Sequence, residues 1–279
     1  MQKSGKLRPY LMVFPAVSLM ALVVVYPIVD TIIRSFRDSQ GGWTLQHYYY
    51  FFSSPEARES LCFTLAEALI TMILGMALSF LLALYLRFST GPIAGIMGRL
   101  YLLPRFIPGI TAVYAVMNMI RDSGFIHRVM RLFGLSYKPG LLFDLKGIIL
   151  CNLWFTVPFG AMLLSAALSK VEDTYIESAR DAGCSWPVIF WRIILPITGK
   201  DLVVAATFIL MGQIGSFTIP YLTGPNNPKM LGILLYQQVG VYLDYGRAAA
   251  LSVLMFLLCL AGAVVYIKTN LKETAWETK

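Results

Sequence analysis

Residues 170–201 read KVEDTYIESARDAGCSWPVIFWRIILPITGKD, a polar interval between two long apolar runs. Val171, Tyr175, Ile176 and Ala179 recur at helical spacing on one side, and Glu172, Asp173, Glu177, Arg180 and Asp181 take the remainder, which predicts a short amphipathic helix. Gly183 then stands where a helix C-terminal glycine turns the chain left-handed. Ser185 offers an N-cap, and Pro187 fits the first turn of a second helix through Phe190, Trp191, Ile193 and Ile194, which Pro196 is expected to stop. Helix, glycine bend, helix and proline predict a compact protrusion; the competing reading is a solvated amphipathic connector.

The flanking sequence places this protrusion at a membrane. Of 279 residues, 57% are hydrophobic and 14% charged, where a soluble domain carries roughly a quarter charged residues. A helix crosses the hydrocarbon core with roughly 20 apolar residues. Five runs meet that length: 10–29, 68–86, 147–169, 202–228 and 248–267. A weaker run, 107–120, spans only if it starts near Leu100 and accepts Arg105, which either snorkels to the headgroups or pairs. Six crossings of an all-α membrane protein are therefore expected, with no linker dividing the chain. Lys3, Lys6 and Arg8 precede a first run too long for a signal-peptide core, as in an uncleaved signal-anchor. With the N-terminus in the cytoplasm, six crossings return Lys268, Lys272 and Lys279 to the same side. The Lys/Arg balance between the two sides is too even to settle orientation alone.

The formal net charge of +8 forms no basic stripe with interleaved aromatics, so nucleic acid is not the expected partner; anionic lipid headgroups are. Cys62, Cys151, Cys184 and Cys259 show no CxxC spacing and read as small hydrophobes. His47 and His127 have no companion histidines, so no metal site is expected. Tyr48 to Tyr50 suit an interfacial aromatic belt, and Asn118 and Asn152 suit interhelical hydrogen bonds.

Residues 177–196, ESARDAGCSWPVIFWRIILP, resemble the EAA loop of ABC importer permeases: Glu177, Ala179, Gly183, Phe190, Ile193, Leu195 and Pro196 match in order, and Ser178 replaces the usual alanine. The stretch 212–220 (GQIGSFTIP), the pair Gly224 and Pro225, and 245–251 (YGRAAAL) also resemble that family, over roughly residues 60–268. The RDAG form and GSFTIPYLTGP are similar to the polyamine, iron and phosphonate branch, with the spermidine/putrescine type nearest. Tyr26, Pro27 and TLQHYYYFF suit that branch and the sugar branch alike.

The resemblance implies a type I (MetI-like) permease bundle of six transmembrane helices with a cytoplasmic coupling-helix loop. It would divide into an arm, first helix and outer loop (1–60), a permease core (61–268) with its coupling loop at 170–201, and a cytoplasmic tail (269–279). It also implies the partners: a homologous permease subunit, an ATP-binding cassette ATPase dimer that carries ATP and Mg, and an extracytoplasmic solute-binding protein, in a bacterial inner membrane. The chain has no G-x-x-x-x-G-K-[ST] phosphate loop, so it is expected to bind no cofactor itself and to be no enzyme. The ATPase groove would receive Val188, Phe190 and Ile193 while Glu177 pairs with a base. Breaking such a buried pair costs about 3–5 kcal/mol. Inverting a 1:99 inward/outward equilibrium would take about 5.5 kcal/mol of differential binding.

Candidate path residues are Glu67, Gln213, Ser216 and Thr218. Glu67, the one acid well inside a span, either attracts a cationic solute or pairs with a neighbouring helix. Gln213, Ser216 and Thr218, with Gly212, Gly215 and Pro220, make a span that either breaks to line a path or packs closely through small residues. A secondary transporter would need coupling-ion carboxylates or an internal repeat, and a membrane enzyme clustered acids or histidines. Neither pattern is present in the sequence.

Overall fold

A computed structural model describes the backbone of residues 8–38 and 40–277 and the side chains of 12–38 and 40–269. Lys3, Lys6 and Lys279, and the side chains of Arg8 and Lys272, lie outside the described residues. Among those described there is no β-strand, only one isolated bridge between Arg37 and Trp43.

The helices follow in order: α1 Arg8–Met20, α2 Tyr26–Ser35, α3 Gln46–Ser53, α4 Pro55–Phe88, α5 Pro92–Leu100, α6 Gly109–Ile120, α7 Phe125–Leu132, α8 Leu145–Leu168, α9 Asp173–Asp181, α10 Trp186–Ile189, α11 Leu195–Ile214, α12 Thr218–Thr223, α13 Leu231–Gly240 and α14 Tyr245–Glu277. Among the described residues, five helical runs are long and apolar enough to cross a membrane: Met12–Ser35, Pro55–Phe88, Leu145–Leu168, Trp186–Ile214 and Tyr245–Thr269. Pro92–Phe106 and Gly109–Leu132 form a sixth if the pair, bent by 108°, counts as one crossing. The weak sixth run is thus a broken one. Pro108 forces Ile107 into extended backbone (ψ 129°), which no helix accommodates.

Pro196 does not stop a helix, contrary to expectation. A five-residue π-turn, Phe190–Ile194, joins α10 to α11, with Leu195 N–H donating to Phe190 O. The same device precedes Pro27, where Ala21–Val25 is π-helical and Tyr26 N–H donates to Ala21 O. Proline lacks an N–H, and its ring crowds the carbonyl four residues back; widening the preceding turn relieves both, and the helix continues. The fifth crossing consequently runs Trp186–Ile214 rather than 202–228, and the chain breaks at 215–217 before α12.

Two compact units emerge. One takes the chain through Arg58 together with Leu235–Phe256; the other comprises Glu59–Leu234 and the segment from Leu257 onward. In the first, Tyr48 OH meets Ser35 Oγ at 2.7 Å and the Arg247 guanidinium lies 4.0 Å over the Tyr50 ring. Only Tyr49 of the tyrosine run is exposed as a belt residue would be.

In the second unit, close helix approach relies on small residues, since lipid supplies no hydrophobic drive between spans. A Cβ on Gly75 would fall 2.6 Å from Thr156 Cγ2, and one on Gly160 would overlap Ser79 Oγ. Ser79 Oγ donates to Val157 O at 3.1 Å, so α4 and α8 are also hydrogen-bonded beside the Gly160 contact. At one end of this unit Leu164, Leu168, Val171, Ile176, Ile189 and Ile194 bury together, with Phe80, Phe88 and Ile193 against them. This cluster seats the turn between the fourth and fifth crossings.

Candidate functional site

The turn of 170–201 is closed by three independent ties. Lys170 Nζ bonds both carboxylate oxygens of Asp201 at 3.0 Å, joining its two ends. Arg87 Nη2, from the end of α4, donates to Asp173 Oδ1 at 2.6 Å and to Val171 O at 3.0 Å. Gly183 adopts φ +79°, with Gly183 N–H donating to Arg180 O and Cys184 N–H to Ala179 O, both at 2.9 Å. Those two bonds are the paired 5→2 and 6→1 contacts of a glycine-terminated helix. No atom lies within 4 Å of a Cβ placed on Gly183, so glycine is required there for its backbone conformation and not for space. Ser185 occupies the N-cap position of α10 with extended backbone, but its side chain makes no capping bond.

The apolar side of α9 divides otherwise than its spacing implied. Val171 and Ile176 are buried and Ala179 is half-buried, but Tyr175 points outward, 48% exposed. Of Val188, Phe190 and Ile193, only Val188 is exposed. Phe190 packs on Phe80 with centroids 5.9 Å apart. Ile193 is half-buried and joins Tyr175, Ala179 and Arg192 in lining a shallow groove of about 530 Å³. Leu195 is half-buried and Pro196 exposed. Tyr175, Glu177, Asp181, Trp186 and Val188 are exposed on the turn together with Arg180, Trp191 and Arg192, a surface of apolar side chains and charges of both signs. The sequence does not mark Tyr175 or Trp186 as outward contacts, nor Arg87 as a tie, whose one signal is a lone cation closing an apolar run.

Within the spans, Glu67 is fully buried; its Oε1 accepts from Asn152 Nδ2 at 2.7 Å and Thr71 Oγ1 at 2.8 Å. Gln213 Nε2 donates to Thr156 Oγ1 at 3.2 Å. Asn152 and Thr156 are one helical turn apart, so α8 presents both on one face, one to α4 and one to α11. Glu67 and Gln213 are therefore buried links between helices. Ser216 and Thr218 lie elsewhere, lining a cavity of about 420 Å³ with Phe155, Phe217, Gly109 and Val113. The cavity sits where two helices break, before α6 and before α12. Gly232 holds the second break: a Cβ there would come 2.6 Å from Ser216 O. Arg105 is exposed and lies 4.8 Å over the Phe159 ring, and Asn118 is exposed. His47 Nε2 and His127 Nδ1 meet the Arg37 and Tyr137 carbonyls at 2.9 and 2.6 Å.

No family model matches the chain. It is 27% identical to the trehalose/maltose transport system permease protein MalF of Thermococcus litoralis, over 94% of this chain and 92% of that one. To the sulfoquinovosyl glycerol transport system permease protein SmoG of Agrobacterium fabrum it is 26% identical, over 94% and 90%. To the spermidine/putrescine permease protein PotB of Salmonella typhimurium it is 23% identical, over 76% and 74%. These relatives are named as permeases, transport subunits and not enzymes. Among solved structures, a chain of a bacterial ABC transporter that imports the acidic polysaccharide alginate superposes with a TM-score of 0.80 at 19% identity, covering 95% of this chain and 94% of that one. The chain is thus a multi-pass membrane protein with the fold of the ABC importer permeases, similar over nearly its whole length to permease proteins of ABC transporters.

Proposed function

We propose that the chain forms the solute path of an ATP-driven importer and takes its energy from a cytoplasmic ATPase dimer through residues 170–201. One observation carries the reading: a turn clamped by Lys170–Asp201, Arg87–Asp173 and the Gly183 bend leaves Tyr175, Glu177, Trp186 and Val188 outward, and runs without interruption into α11. A rigid lever bearing exposed apolar side chains and charges of both signs suits an apolar partner groove with charged walls. Glu177, Ala179 and Gly183 would form its first helix and bend. Phe190, Ile193, Leu195 and Pro196 would fasten it to the membrane helices. ATP and Mg would be held by the ATPase and none by this chain. A second permease, identical or homologous, and an extracytoplasmic solute-binding protein complete the assembly; the alginate transporter structure with a periplasmic protein bound supports that partner kind. Counting the bent pair as one crossing, a cytoplasmic turn puts both termini in the cytoplasm of a bacterial inner membrane.

The solute we infer is neutral and hydroxyl-rich. The cavity holding Ser216 and Thr218 is lined by Phe155 and Phe217, by Ile110, Val113 and Ile219, by Gly109 and by those two hydroxyls, with no charged side chain. Rings and hydroxyls suit a sugar, whereas a polycation needs carboxylates. The second reading, a polyamine, rests on the RDAG and GSFTIPYLTGP resemblance and the likeness to PotB; Glu67, the acid that could attract a cation, is fully buried with Oε1 engaged by Asn152 and Thr71. The test is solute-stimulated ATP hydrolysis by the reconstituted complex with its binding protein, across trehalose, maltose, spermidine, putrescine and thiamine. Stimulation by a disaccharide is expected. Stimulation by spermidine alone would replace the sugar with the polyamine, and a chain that copurifies with no ATPase would remove the importer reading.

A further inference from the structure

The end of α4 grips both shoulders of the turn. Arg87 holds Asp173 and the Val171 carbonyl at the start of α9. Phe88, the next residue, packs edge-on against Trp186, the first residue of α10, with centroids 5.5 Å apart. The other shoulder is closed by Arg180, whose guanidinium lies 5.5 Å over the same Trp186 ring.

We propose that Arg87, seconded by Phe88, is a positioning residue that carries movement of the turn into α4, giving the turn a second mechanical output besides α11; this rests on the coupling reading above. The turn is covalently continuous with α11, so that helix must follow it. Helix α4 lies more than 80 residues earlier and otherwise meets the turn through apolar side chains, which can slide over one another. A guanidinium bonded to both a carboxylate and a main-chain carbonyl fixes direction as well as distance. The Asp173 carboxylate is mostly exposed, and an ion pair in that setting adds little to stability. Placement at the joint, not folding, accounts for it. What α4 receives passes to α8, because Ser79 bonds Val157 O and Glu67 bonds Asn152.

Hydrogen exchange of the permease–ATPase complex, with and without ATP and vanadate, reads this without knowledge of the solute. In the natural protein, trapping is expected to change exchange in both 80–88 and 195–214, by about tenfold. In Arg87→Ala the contrast at 80–88 is expected to fall below about twofold while that at 195–214 persists, and Arg87→Lys, which keeps the charge without the guanidinium's directional donors, is expected to restore it only in part. A contrast at 80–88 that survives Arg87→Ala, or one lost equally from both segments, would overturn the proposal. If neither segment of the natural protein responds, or no ATPase copurifies, the coupling reading itself fails and takes the strut with it.

Discussion

Asn152 donates to Glu67 Oε1 across 2.7 Å, joining α8 to α4 through two buried side chains. That bond makes Glu67 an interhelical link, which the variants below weigh against a role toward a cationic solute.

Glu67→Gln keeps an acceptor for Asn152 and Thr71, so thermal stability in detergent and solute uptake are expected to stay close to normal. Glu67→Ala strands both donors, and each unsatisfied buried group costs about 1–3 kcal/mol. The yield of folded, ATPase-associated protein is expected to drop. Uptake lost in Glu67→Gln with assembly intact would return Glu67 to the solute path.

At Gly183 the cost of a side chain is conformational, since nothing lies within 4 Å of it. Gly183→Ala is expected to cost about 1–2 kcal/mol for a left-handed residue, and Gly183→Asn less, because asparagine tolerates that region. Gly183→Pro removes the N–H bonded to Arg180 O and locks φ on the wrong side, so uptake should vanish while membrane insertion persists. Equal uptake by all three variants would contradict the bend.

The meeting of Gly75 with Thr156 is a matter of one methyl group. Gly75→Ala is expected to destabilise by about 1–3 kcal/mol through overpacking. Adding Thr156→Ser, which removes the methyl and keeps the hydroxyl for Gln213, should recover most of that loss. Thermal melting of the single and double variants measures the coupling; strict additivity would show the two side chains do not meet.

Tyr175 and Val188 face outward, whereas Phe190 packs inward on Phe80. Tyr175→Ala and Val188→Ala are expected to weaken copurification of the ATPase without lowering the melting temperature. Phe190→Ala should lower the melting temperature itself, toward the lower end of the about 3–5 kcal/mol that a core Phe→Ala costs. A reversed pattern would invert the assignment of the faces.

Much of this chain is local in origin, and those parts are legible in the amino-acid sequence. Four of the apolar runs of spanning length and the glycine that ends α9 depend on near neighbours only and are found close to where the sequence puts them; the run at 107–120 is bent and the fifth crossing starts 16 residues earlier, at Trp186. The roles of Glu67 and Arg87 are not legible in the same way, because their partners stand 85 and 86 residues away. Nothing in the local sequence says which side chain of α8 or α9 will arrive opposite.

Pro196 and Tyr175 show the same boundary from the other side. A proline after a short helix is locally a stop signal. Whether a π-turn can open to carry the helix past it depends on what packs around that turn, here Phe80 against Phe190. Helical spacing puts Tyr175 beside Ile176, yet only the position of the buried cluster decides which of two adjacent residues is covered. The sequence by itself therefore determined the membrane-spanning class, the turn and its bend, since period, length and backbone preference are properties of short segments. Tertiary structure alone decided which side chains tie the helices and which are left for a partner, since burial is set by the whole packed arrangement.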